Sequence, residues 1–494
     1  MSDVHTGGTS PRRFRVAVIG AGVGGVVSAA EVRRAGHEVE LYEAGSRVGG
    51  IWTQVNSTST LQISSLLYRF HPSVSWSTRY PARDQVLAEI QRLWSAHGLE
   101  ARTRFGTPVA RLEALPGGRW RVNAREDYDA VICCVGQCHA PRLPTWEGLE
   151  SFQGEHAHSS RLDTVRARDR RVVIVGGGAS AVEAVEWALS GGAREVVMVA
   201  RGDHWMVPRN AAVNIALSML PALPAASLRS SLQRLIERGF YRDLGMLVPR
   251  FPLYGGQAPC CNNDFLQTLR GGRISYLQAE PLRWTPEGLE ARLVRATHPR
   301  LTSCKAWQGL EAGAKLHLAA DLVVLATGFH PPSYDFLVAP RRQGSALFLR
   351  GWIPGHPTLL FNNCGFEQGF GSAGSLHLAV FTKLLLMFLQ APETAPSREE
   401  MEAWVHDHGP EERLAFAIYG EHLAQTAAFL LQRRRWRHAG RLLREDVLGP
   451  LGTGAHELLR DALNRLASSA NSITTTGGLN EGRHAIPADS HPLP

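Results

Sequence analysis

The chain has 494 residues, 44% hydrophobic and 20% charged, with a formal net charge of +8 from 53 basic and 45 acidic residues. That length holds two or three domains with sizeable cores, and the composition excludes a disordered or low-complexity protein. The positive charge is almost all arginine, with lysine only at Lys305, Lys315 and Lys383, and it is scattered along the chain, so no nucleic-acid partner is expected.

Residues 1–13 are polar, lack the apolar core of a signal peptide, and are expected to form a disordered tail. RVAVIGAGVGGVVSAAEVRRAGHEVELYE follows. Val16 to Ile19 predict a short buried strand. Gly20-x-Gly22-x-x-Gly25 predicts a tight turn into a helix, and Val39 to Tyr42 a second strand ending at Glu43, 23 positions after Gly20. Gly20 permits the turn, Gly22 lets a pyrophosphate approach the main chain, and Gly25 lets the helix pack on the strand. The helix N-terminus faces the phosphates, and Glu43 can accept from ribose hydroxyls. A second glycine pair, Gly49-Gly50, then leads into Ile51 and Trp52. This arrangement resembles the two-dinucleotide flavoprotein superfamily, in which that pair touches the FAD pyrophosphate.

The apolar strand YDAVICCVG stops at Gly136, and FQGEHAHSSRLD, Phe152 to Asp163, follows it. RRVVIVGGGASAVEAVEWALSGGAREVVMVAR then repeats the first design at 170–201. Gly176-x-Gly178-x-Ser180-Ala181 closes with Ala where the first loop has Gly, which close helix packing tolerates. The strand Glu195 to Val199 runs out to Arg201, where the first unit has an acid. A cation there suits a 2′-phosphate, so NADPH is expected rather than NADH, with His204 and Arg209 as helpers. A second apolar strand, DLVVLATGF, ends at Phe329.

The expected fold class is α/β, with two Rossmann-like domains. The FAD domain is 14–160 with 321–397, and the NADPH domain, inserted in it, is 161–320 with a helical excursion at 205–262. SLHLAVFTKLLLMFLQ contains His377 and Lys383, falls short of the ~20 residues of a membrane span, and reads as a buried helix. Residues 398–467 are expected to form further helices, and 468–494 a disordered tail. RRRWR at 433–437 reads as a solvated helix face. The seven cysteines have no secreted framework spacing, so a reduced, cytoplasmic setting is expected. No metal-ligand spacing stands out.

Together these segments resemble the class B flavoprotein monooxygenases, the group of flavin-containing and Baeyer–Villiger monooxygenases, over about residues 14–390. The group's fingerprint is F-x-G-x-x-x-H, then three residues, an aromatic, and Pro or Asp. It is met by Phe152, Gly154, His158 and Asp163, with Leu162 in the aromatic place. The resemblance implies FAD and NADPH as cofactors, a small organic substrate, and O2. One oxygen atom would reach the substrate through a flavin C4a peroxide, at nitrogen or sulfur. It also implies that Gly50, Ile51, Trp52, Gln62, Thr327 and Gly328 line cofactor sites. His158 is implied as a positional residue at the link between domains, and Ser64 takes the place of an Asn usual near the flavin. The main chain at 62–64 and the loop from Asn362 to Gly374 are candidate neighbours of the flavin. GGIWTQVNSTST lacks the Tyr-Pro-Gly stretch and Asp of the Baeyer–Villiger branch, which stays as the alternative, beside an NADPH oxidase releasing hydrogen peroxide. A disulfide reductase would need a paired redox cysteine, which is absent before Cys133. Bacterial secondary metabolism is a setting suggested by composition alone, and substrate identity and oligomeric state are not legible.

Overall fold

The structure, a computed structural model, describes residues 12–219, 226–253, 259–340, 347–364, 377–408 and 426–431. The first unit opens with strand β1 (Arg15–Ile19), helix α1 (Val23–Arg34) and strand β2 (Glu38–Tyr42). Val16, Ala17 and Val18 are fully buried, as a parallel strand covered on both faces requires. The chain continues through α2 (Arg83–Ala96), β3 (Thr103–Arg104), an antiparallel meander of β4 (Leu112–Leu115), β5 (Arg119–Val122) and β6 (Glu126–Tyr128), and β7 (Ala130–Cys133).

The middle of the chain forms β8 (Ala140–Pro141), β9 (Glu155–His158), β10 (Arg171–Val175), α3 (Ala179–Ser190) and β11 (Glu195–Ala200). The expected helical excursion contains α4 (Ala211–Met219) and α5 (Ala226–Ile236), preceded by β12 (Met206–Val207) and closed by its partner β13 (Cys260–Cys261). After α6 (Phe265–Arg270) come β14 (Ser275–Thr285), β15 (Gly288–Leu293), β16 (Lys315–Ala319), β17 (Leu322–Leu325) and β18 (Phe329–His330). The chain then adds β19 (Leu337–Ala339), β20 (Leu359–Phe361), α7 (His377–Gln390) and α8 (Arg398–His408).

Two main sheets result. The first has the order β20-β7-β1-β2-β3, all parallel; the second has the order β16-β15-β14-β11-β10-β17-β9, parallel except for the β14–β15–β16 meander. β20 returns to the first sheet after the whole second sheet has been made. The fold is therefore the expected α/β pair of dinucleotide-type units, one inserted in the other. The second sheet takes in Glu155–His158 and Leu322–Leu325, which lie outside the 161–320 span expected for the insert. The resemblance implies a link at EHAH, yet it forms an edge strand that needs a partner on one side only.

The apolar run before residue 390 is the buried helix α7, packed on α1. A buried polar knot fixes it: the Asn362 side-chain amide donates to Ser28 Oγ and to the Leu378 carbonyl, both at 3.0 Å. Among the described residues no helix is long and apolar enough to cross a membrane, and no group of three or more His, Cys, Asp or Glu is placed to hold a metal ion. Residues 1–11 of the expected N-terminal tail, the whole C-terminal tail, most of the loop from Asn362 to Gly374, RRRWR, and most of the expected C-terminal helices lie outside the described residues.

Candidate functional site

The first glycine loop is shaped by contacts no side chain could survive. Gly20 has φ +98°, and a Cβ there would lie 2.5 Å from the Cys134 carbonyl oxygen. A Cβ at Gly25 would lie 1.7 Å from the Gly20 oxygen, so α1 starts directly against the strand end. Gly22 caps α1, leaving the N–H groups of its first turn to a phosphate. The second glycine pair folds onto this loop. Gly49 N–H donates to the Ala21 carbonyl at 2.9 Å, and a Cβ on Gly50 would stand 2.9 Å from the Gly22 Cα. The turn Gly50–Thr53 carries Ile51 and Trp52, and the Trp52 indole donates to the Tyr68 hydroxyl at 2.8 Å.

Glu43 accepts from Ala21 N–H at 2.6 Å and from Gly45 N–H at 2.7 Å. Its carboxylate has about four acceptor positions. Two are thus spent on fixing its orientation and two remain for ribose hydroxyls. At the carboxyl ends of the neighbouring strands β7 and β20, Gln137 Nε2 and Asn363 Oδ1 are buried with no partner among the described residues. Ligands of open parallel sheets lie at this end. A glycine cradle, an oriented acid and two orphaned polar atoms fit a flavin dinucleotide. Asn363 lies in the loop that the sequence resemblance marks, whereas Gln137 escapes sequence reading because single polar residues after a strand are common; its distance from the strand end is the usable signal.

The second loop repeats the cradle. Gly176 has φ +145°, and a Cβ on it would lie 2.2 Å from the Ala326 oxygen. Gly178 caps α3, Ser180 is half-buried, and Ala181 is fully buried where the helix meets the sheet. Arg201 is exposed one residue beyond β11. His204 covers the loop so closely that a Cβ on Gly177 would lie 2.4 Å from its Nδ1. Arg209, expected beside Arg201, instead reaches toward the first unit. It donates to Thr60 Oγ1 at 2.7 Å and to the Leu61 carbonyl, with its guanidinium 4.1 Å from the Tyr80 ring centre.

Two strands carry the chain between the units: β8 and β18 pair antiparallel, with Phe329 opposite Pro141. The Thr327 hydroxyl donates to the Arg142 carbonyl, and Arg142 N–H donates to the Gly328 carbonyl at 2.9 Å. That same Gly328 oxygen lies 2.9 Å from His158 Nε2. His158 Nδ1 accepts from Ser160 N–H at 3.2 Å, so Nε2 carries the hydrogen and the ring is neutral. Burial lowers the His158 pKa, opposed by the bond to Gly328. Phe152 packs on Trp284 with ring centres 5.2 Å apart. Gly154 does not have a positive φ. Its reason is crowding, since a Cβ would lie 2.5 Å from the Phe152 ring and 2.9 Å from the Asp321 oxygen. Leu162 is only 1% exposed, so the aromatic place keeps its apolar packing without an aromatic ring.

The loop 56–64 of the first unit faces all of this. Ser59 donates to Glu183 of α3, and Ser64 N–H donates to Asn214 Oδ1 of α4 at 3.1 Å. Ser64 itself is fully buried, and its Oγ accepts from Leu66 N–H at 3.5 Å. Thr58, Thr60, Gln62, Glu183, Arg209 and Asn262 line a cavity between the loop and α3. Burial pushes the Glu183 carboxyl up, against the lowering effect of Ser59. Arg209 Nε is buried with no partner among the described residues. The cleft thus offers an uncommitted N–H and polar groups of both kinds. Sequence reading missed this cleft; Glu183 and Glu186, three apart on a mainly apolar helix, are the signal that could have marked it.

Residues 14–219 match the pyridine nucleotide-disulphide oxidoreductase family. The thiols do not suit disulfide exchange: Cys133 and Cys134 are buried, and burial pushes the Cys134 thiol well up. Among curated proteins, the chain is 30% identical over 248 residues to the flavin-containing monooxygenase FMO GS-OX-like 2 of Arabidopsis thaliana, covering 41% of this chain and 51% of that protein. It is 28% identical over 246 residues to the FAD-binding monooxygenase ktnD of Aspergillus niger, covering 44% of this chain and 40% of the relative. The chain spans about half the length of the curated relatives it matches. Among solved structures, an FAD-bound form of OTEMO superposes with TM-score 0.64 at 17% identity, covering 86% of this chain and 99% of that one. An NADP-bound steroid monooxygenase gives 0.64 at 16% identity, covering 86% and 98%. In sequence and in fold, this chain resembles the class B flavoprotein monooxygenases: flavin-containing monooxygenases by sequence, and the OTEMO and steroid monooxygenase structures by fold.

Proposed function

We propose that the chain is an FAD-dependent, NADPH-consuming monooxygenase that transfers one oxygen atom from O2 to a nitrogen or sulfur atom of a small organic substrate. The observation that carries this reading is the pair of glycine cradles with ends of opposite sign, Glu43 on one and Arg201 on the other, in a single chain. Flavin supplies the oxygen-activating chemistry when bound. The chain's own residues bind and exclude. Gly20, Gly22, Gly25 and Gly50 would cradle the FAD pyrophosphate, and Glu43 would hold its ribose. Gly176, Gly178, Ser180 and Ala181 would receive the NADPH pyrophosphate, and Arg201 its 2′-phosphate. Ile51, Trp52 and Gln62 would line the inner face of the cleft, with Thr327 and Gly328 at the crossing. His158 and Ser64 act by position, because each is buried with its polar atoms engaged.

Heteroatom oxygenation is preferred over Baeyer–Villiger chemistry because the likeness at 30% identity is to flavin-containing monooxygenases. The test is incubation with NADPH, isotopically labelled O2 and a panel of amines, thioethers and ketones. Label in an N- or S-oxide supports the reading. Label in an ester identifies Baeyer–Villiger chemistry. Stoichiometric hydrogen peroxide with no labelled product identifies an oxidase.

A further inference from the structure

We propose that Asn56 is a positioning residue that clamps the His158–Asp163 segment onto the first unit and so sets the nicotinamide site against the flavin site. The cofactor part rests on the proposed function; the clamp rests on the contacts alone. The chain leaves the second sheet at His158, makes a short helical segment over Ser159–Thr164, and re-enters the sheet at Arg171. Between those points it lies on the loop of the first unit. Asn56 is 3% exposed, and both ends of its amide cross the gap. Nδ2 donates to the Ser159 carbonyl at 2.6 Å, and Oδ1 accepts from Leu162 N–H at 2.8 Å. A carboxamide offers a donor and an acceptor on two separate atoms of one short side chain, as a hydroxyl does not.

Its neighbours repeat the contact at the surface. Ser57 donates to the Asp163 carboxylate through N–H at 2.8 Å and through Oγ at 2.6 Å. Arg83 ties the arrangement together, donating to Asp163 at 3.3 Å and to the Val55 carbonyl at 3.2 Å. Leu162 supplies the apolar plug beneath. The segment is thus an excursion of the second unit pinned to the first through Asn56 and Ser57, while its first residue, His158, bonds the crossing at Gly328. Asn56 belongs to neither glycine loop, so removing its amide leaves both cradles intact and frees only their relative placement.

The test compares the FAD-loaded parent with Asn56→Ala and Asp163→Asn. Arg161 is exposed inside the segment, so tryptic cleavage after it, mapped by mass spectrometry, reads the clamp without any turnover. Losing two buried hydrogen bonds should speed that cleavage about tenfold or more in Asn56→Ala. Flavin reduction at saturating NADPH should slow about tenfold, since small misplacements of reacting groups are costly. FAD content and the KM for NADPH should stay within about twofold, a split that general destabilisation would not give. Asp163→Asn, at an exposed site, should give the same split at smaller size and serves if Asn56→Ala does not fold. Unchanged cleavage in both variants overturns the clamp. Faster cleavage with parental reduction overturns the positioning role. A parent that NADPH does not reduce overturns the functional reading, while the cleavage result still decides the clamp.

Discussion

The His158 ring donates from Nε2 to the Gly328 carbonyl at 2.9 Å, and that carbonyl also accepts from Arg142 N–H. One oxygen therefore joins the edge strand of the second sheet to both strands that cross between units. His158→Ala should retain FAD, since the ring touches neither glycine loop, but should loosen the crossing. Domain placement commonly gates the reaction in such enzymes. More hydrogen peroxide per NADPH consumed is expected, and a peroxide assay beside NADPH consumption measures it. Parental coupling would assign the bond to scaffold alone.

Two glycines should separate folding from binding. A Cβ on Gly154 meets the Phe152 ring and the Asp321 oxygen, so Gly154→Ala should lower unfolding stability by about 1–3 kcal/mol. A Cβ on Gly178 meets nothing within 4 Å, so Gly178→Ala should fold like the parent. It should still weaken NADPH, because the added methyl takes the space of the pyrophosphate. Urea titrations and nucleotide-binding isotherms of both variants check the pair.

Arg201 is exposed at the end of its strand. Arg201→Ala should raise the KM for NADPH about tenfold, as loss of ~1.5 kcal/mol from a charged hydrogen bond implies. NADH kinetics should stay nearly unchanged. An equal loss with both coenzymes would make Arg201 structural. Steady-state kinetics with each coenzyme decide it.

His71 provides a pH test of stability. Burial, opposed by Glu31, lowers its pKa to about 4, from an ordinary value of 6.5. Above pH 6.5 both folded and unfolded states hold it neutral. Between pH 6.5 and 4 the unfolded state takes up a proton that the folded state refuses, so stability falls with falling pH and levels off below 4. The full shift is worth about 3 kcal/mol, and discounted for solvent screening of the ring His71→Gln should reduce the loss across that window by about 2 kcal/mol. Denaturant titrations at pH 7, 5.5 and 4 measure it; an unchanged slope would remove His71 from the explanation.

The dinucleotide units are legible in the sequence because their chemistry is written locally. Gly20, Gly22 and Gly25 lie within one turn, and the acid or Arg follows one strand later. Spacing alone then encodes the Cβ clashes that demand glycine. Asn56 with Leu162, Ser59 with Glu183, and Arg209 with Thr60 are different. These partners are 106, 124 and 149 positions apart, and nothing near an isolated Asn, Ser or Arg announces its contact. The edge strand Glu155–His158 escapes for another reason: pairing on one side leaves half its residues exposed, which hides the apolar run expected of a parallel strand.

The central claim is that two dinucleotides exchange a hydride between the two cradles. The most direct measurement is anaerobic stopped-flow mixing of the FAD-loaded protein with NADPH and, separately, with NADH. The account predicts rapid loss of the visible flavin absorbance with NADPH, at least about tenfold more efficient than with NADH. Flavin that stays oxidised with both coenzymes, while both cradles are occupied, would contradict it.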